Sequence, residues 1–189
     1  MAELITFDVV MDLEASDASN REKAEQLIAW ADGPGDALSA DISPASLLAT
    51  ASAYLGYAGD SEARWELLQR ADTIGDQIDG VVIHAHLVAA LLERGEPEQA
   101  KARAGDIRRS GRVRPSTSLF LAETFETHAD LKAAERWFNI GLRVDEDGDS
   151  GDVALLLSGR WRVRRALGRP RDAYDDEAAA LATTQGTEG

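Results

Sequence analysis

His128-Ala-Asp-Leu-Lys-Ala-Ala-Glu-Arg-Trp-Phe-Asn-Ile-Gly-Leu-Arg143 is the stretch that decides the fold. Ala129-Asp130 closes one apolar run of helical period and opens the next, with the small Ala134 following. The same pattern stands at Gly59-Asp60 with Ala63, at Gly95-Glu96 with Ala100 and, after a longer gap, at Gly168-Arg169 with Ala173. The four alanines are spaced 37, 34 and 39 residues apart. A recurring unit of this length, made of a helix, a tight turn and a second helix, predicts a stacked all-α array.

Working outward, we read ten helices in five antiparallel pairs: 3–14 with 19–32, 44–58 with 61–75, 80–94 with 97–110, 115–128 with 130–143, and 152–167 with 170–183. The pairs fall in segments 1–34, 43–76, 80–111, 115–144 and 152–183 of one domain over 1–183, and 184–189 reads as a disordered tail. Pro44, Pro97, Pro115 and Pro170 each fall at an expected first turn, where the missing N–H would have had no partner. Asp17 or Ser19 could cap the second helix, and Gly33-Pro34-Gly35 breaks the chain after it. Connections of two or three residues within a pair force the two helices to lie antiparallel.

Composition narrows the function. The 189 residues are 44% hydrophobic but only 6% aromatic, so alanine and leucine carry the apolar surface. The net charge of −14 argues against nucleic acid or an anionic membrane as the main partner. The charge is uneven: residues 1–62 hold 12 acids against only Arg21 and Lys23. Without cysteine there is no disulfide, thiol nucleophile or cysteine zinc site. No signal peptide is readable at Met1-Ala2-Glu3-Leu4, and Val81–Leu92 is too short to span a bilayer. A soluble, cytoplasmic protein is expected.

Residues 45–76, 81–112 and above all 115–146 resemble tetratricopeptide repeats. The 128–143 stretch has that family's turn acid in Asp130, its small contact between helices in Ala134, its aromatic in Phe138 and its small seat for the next repeat in Gly141; Ala71 takes the last role in an earlier repeat. The early bulky aromatic is replaced by Leu48, His84 and Ser118, and the closing proline is missing. The resemblance implies an α-α superhelix that binds a peptide or helix of a partner protein in a groove lined by the first helix of each pair. That groove would present Ala49, Ala53, Tyr57, Ala85, His86, Ala89, Glu93, Phe120, Glu123, Glu126, Arg162 and Arg165. The basic cluster with which some members hold a C-terminal carboxylate is missing from the first two full repeats.

Other constellations point to no chemistry. Asp145–Asp152 alternates carboxylates like a calcium loop, but Ser150 replaces the turn glycine and Leu156 the bidentate glutamate. His84 and His86, two apart on a helix, face opposite ways and cannot share a metal. Asp175-Asp176-Glu177 reads as a wet helix face. No catalytic residue, cofactor or metal is expected. Arg108, Arg109, Arg112 and Arg114 sit at a helix C-terminus, where cations complement the dipole. Arg160, Arg162, Arg164, Arg165, Arg169 and Arg171 form the densest basic cluster. This cluster is either the polar outer face of a capping repeat or a dock for an acidic partner, including the acidic first third of a second copy. The expected function is therefore a protein-interaction module. Its rivals are a self-assembling structural protein and a regulatory subunit of an enzyme carried by another chain.

Overall fold

The computed structural model describes residues 4–75, 80–145 and 151–185, without the side chains of Asp36, Gly80, Val81 and 182–185. The expected tail lies largely outside these residues, as does the acidic run 146–150. Ten α-helices form and, among the described residues, no strand beyond a single bridge. None of these helices is long and apolar enough to cross a membrane. The chain divides into two compact units, 1–103 and 104–189.

The first unit holds α1 (Phe7–Ala15), α2 (Asn20–Ala31), α3 (Pro44–Tyr57), α4 (Ser61–Ile74) and α5 (Gly80–Glu93), and α6 (Pro97–Arg109) begins in it. Leu27, Leu48, Leu68 and Ile83 meet in its core, with Ala24, Ala45, Ala51 and Ala71 letting the helices approach. Ser19, not Asp17, caps α2, through a reciprocal box with Glu22. The first helix starts later than expected. Ile5 is extended, with its N–H donating to Ala37 O at 2.7 Å and its carbonyl accepting from Ser39 N at 2.9 Å. Thr6 then caps α1. A β-branched residue followed by a capping hydroxyl favours pairing with the chain beyond Gly35 over another helical turn.

The second unit holds the end of α6, then α7 (Pro115–Thr127), α8 (Leu131–Val144), α9 (Val153–Ala166) and α10 (Ala173–Gln185). Helix α8 lies against α7 and α9, which also touch one another, and α10 lies on α9. Two glycines set the α8–α9 approach. A Cβ on Gly141 would fall 2.5 Å from Leu156 Cδ2 and 3.1 Å from Ser118 Cβ. A Cβ on Gly159 would overlap the Phe138 ring. Phe125, Phe138, Leu121, Leu156, Leu157 and Val163 fill the core around these contacts.

The four turns picked out by sequence share one hydrogen-bond pattern. Asp60 N donates to Leu55 O, Glu96 N to Leu91 O, Asp130 N to Phe125 O and Arg169 N to Arg164 O, each at 2.9 Å. The residue before each donor is left-handed: Gly59, Gly95, Ala129 and Gly168. This is a helix-ending motif that satisfies orphan carbonyls before the chain reverses.

The small-residue register needs two corrections. Ala100 and Ala134 are fully buried four residues after the turn acid, as expected. In α4 that place belongs to Arg64, while Ala63 is only partly buried. Gly56 makes room for it: a Cβ there would lie 3.1 Å from Arg64 Cδ. In the last pair Ala173 is exposed and Asp175 is buried instead. Pro170 is not in the first turn of α10, which starts three residues later. Arg164 donates to Pro170 O at 2.6 Å, and the Arg160 and Arg164 guanidinium groups hold Asp172, so the turn is drawn out.

Candidate functional site

The expected groove residues fall in both units, and each unit is taken by itself. In the first, Ala49, Ala85 and Ala89 are buried in the core and line no surface; Ala53 is partly buried. Tyr57 at the end of α3 is 76% exposed, edge-on to Tyr54 at 6.2 Å. Lys23 Nζ lies over the Tyr54 ring and also donates to Glu14 O. Glu93 pairs with the buried Arg64. His86 is partly buried on α5; burial and then the nearby Arg64 charge push its pKa down to about 4, so the ring is neutral near pH 7. His84 lies 3.1 Å from Asp72, which Arg103 also holds at 2.6 Å. Apart from the exposed Tyr57, these groups are tied to neighbours within the unit more than they are offered outward.

In the second unit two of the expected residues, Glu126 and Arg162, meet. Glu123 is exposed and Phe120 and Glu126 partly buried on α7, while Arg162 and Arg165 are exposed on α9. The Glu126 carboxylate accepts a fork of two 2.7 Å bonds from Arg162. Those bonds, then the charges of Glu126 and Glu123, raise the Arg162 pKa further. Arg165 lies over the Trp161 ring at 4.9 Å, one helical turn away. Ser158, Trp161, Arg162, Arg165 and Ala166 line an open depression of about 540 Å³. Leu155, 56% exposed, continues the same face one turn earlier.

The arginine cluster does not form a single solvated patch. Arg160 is 4% exposed. It donates to Asn139 at 2.7 Å, to Asp172 at 2.6 and 2.9 Å and to Asp175 at 2.8 Å. Arg164 joins Asp175, Asp172 and Glu135 at 2.9–3.1 Å. Hydrogen bonds from Arg160, aided by the Asp175 backbone N–H, bring the Asp172 pKa down to about 2. Arg169 reaches Glu135 and Arg171 reaches Asp176.

Sequence reasoning missed Trp161, Arg64 and Asp175. Trp161 had a readable signal, the i, i+4 spacing to Arg165 on an expected helix. Asp175 had none: read as a wet face, it is only 2% exposed because the buried Arg160 and the partly buried Arg164 draw it in.

No family model, no curated protein and no solved structure matches this chain. What the geometry defines is a class: an all-α protein of consecutive helices, four of whose reversals share the same turn.

Proposed function

We propose that this chain is a tetratricopeptide-like helical-repeat protein that binds a segment of a partner protein, with α7 and α9 as the recognition face of residues 104–189. One observation carries the reading. The side of α9 turned away from the core sets Trp161, Arg162 and Arg165 around an open depression, with the exposed Leu155 one turn before it and acids on α7 beside it. Tryptophan and arginine are the residues that most often anchor interfaces. The shared turn and the seating of Leu156 on Gly141 support the repeat reading. Assembly of copies end to end has less to draw on, since Arg160 and Arg164 are engaged inside their own unit.

The test is selection of a displayed library of random short peptides on the full chain. Binders should lose more than about tenfold in affinity on Trp161→Ala and on Leu155→Asp, the size expected for an interface anchor. They should be indifferent to Arg171→Glu, whose side chain pairs with Asp176. Binders that ignore both face variants would sink the reading.

A further inference from the structure

The six arginines between 160 and 171 differ in what they meet. Five of them reach a described carboxylate: Arg160, Arg162, Arg164, Arg169 and Arg171. Arg165 meets none among the described residues. Its guanidinium lies over the Trp161 ring at 4.9 Å and lines the depression. In a chain of 34 acids and 20 bases, an arginine fixed by an aromatic ring without a carboxylate leaves its donors open to one from outside.

Resting on the recognition face just described, we propose that its α9 end takes an acidic segment of a partner protein, one carboxylate of which pairs with Arg165. An apolar neighbour in that segment lies against Trp161. Three features set the chemistry. Stacking on the ring limits the rotamers of Arg165, so little side-chain entropy is lost when it pairs. Arg162 is already neutralised by the Glu126 fork, so it does not compete for the incoming acid. Glu123 and Glu126 repel a second acid on the α7 side, which fixes the direction of the segment: its acid points to the C-terminal end of α9, and a neutral or basic residue lies toward α7. The plain alternative is that Arg165 only complements the carbonyl end of α9, which needs no ligand.

Binders from the library selection separate these. For each binder that maps to the face, its acids are changed one at a time to the matching amide, and affinity is measured on the wild-type chain, on Arg165→Gln and on Arg165→Lys. One acid should matter by about tenfold on the wild type and by nothing on Arg165→Gln, the signature of a direct charge pair. Arg165→Lys should recover part of the loss. Binders that map to the face but need no acid, or whose acid matters equally on Arg165→Gln, overturn this inference and leave the recognition face standing. Binders that miss the face, or an empty selection, overturn both.

Discussion

Helix pairs α7–α8 and α9–α10 lie side by side in one unit and are held together by opposite means. Between α7 and α8 the small Ala122 and Ala134 are both fully buried, and Phe125, Trp137 and Phe138 fill the space around them. Where α9 and α10 meet, Arg160 is instead buried against Asp175, with side chains 5% and 3% exposed. Helix α10 contributes little apolar surface: Ala178 is buried, but Tyr174 is 41% and Leu181 36% exposed. A pair of methyls needs only close approach. A buried ion pair needs every donor and acceptor met, and here Asn139, Asp172, Arg164 and the Tyr174 ring meet them. The difference teaches that a helix pair can be closed by packing or by charge, and that the charged version borrows partners from a third helix, α8.

The largest effect expected from this contrast is at Arg160. Arg160→Ala should destabilise the second unit by about 3–5 kcal/mol, because it strands buried carboxylates rather than merely losing a bond. Arg160→Met combined with Asp175→Ala imitates the α7–α8 solution and should recover most of that loss, since an apolar replacement of a buried pair is often neutral or better. Urea unfolding, with hydrogen exchange at the α10 amides, measures both. A double variant no better than Arg160→Ala would show that α10 cannot be held by packing in this register.

Overpacking tests the other side. Ala134→Leu forces extra atoms into a contact that leaves Ala134 with no exposed surface, and should cost about 1–3 kcal/mol. The same change at Ala173, exposed in the last pair, should cost almost nothing. Equal melting temperatures for wild type and Ala134→Leu would break the register assigned to α8.

The extent to which sequence revealed these pairs follows from what each relies on. Periodicity, prolines and turn residues are local, so most of the ten helices were placed to within a residue or two and Pro44, Pro97 and Pro115 marked true first turns. Gly141 was legible as a seat for the next pair because small size at a fixed spacing has few other uses. Arg64 and Asp175 were not legible. A charge at a core position looks like an error of register until its partner is seen, and Glu93 and Arg160 are 29 and 15 residues away. On the proposed recognition face, turn position pointed to Glu123, Glu126, Arg162 and Arg165, but which arginine already had a carboxylate depended on side-chain geometry across helices.

The smallest expected effect is in the turn of the apolar pair. Gly59, Gly95 and Gly168 take the left-handed backbone that ends their helices, and in α7 the same place is filled by Ala129 at φ 59°. An alanine Cβ is crowded there, at a cost of roughly 1–2 kcal/mol. Ala129→Gly removes that strain but gives the unfolded chain more freedom, worth about 0.4–1 kcal/mol in the other direction. Relief of strain outweighs the added freedom, and Ala129 is exposed, so no packing is lost. The net expectation is stabilisation by about 0.5–1 kcal/mol. A thermal or urea melt of the single variant measures it, with Gly168→Ala as the mirror experiment in the charged pair, expected to destabilise by about 1 kcal/mol or more. If Ala129→Gly were neutral or harmful, the turn strain would have to be offset by something the α7–α8 pair has and the others lack. The nearest candidate is His128, whose Nδ1 lies 2.9 Å from Thr124 O at the end of α7. His128→Ala in the Ala129→Gly background would then decide whether that contact holds the turn.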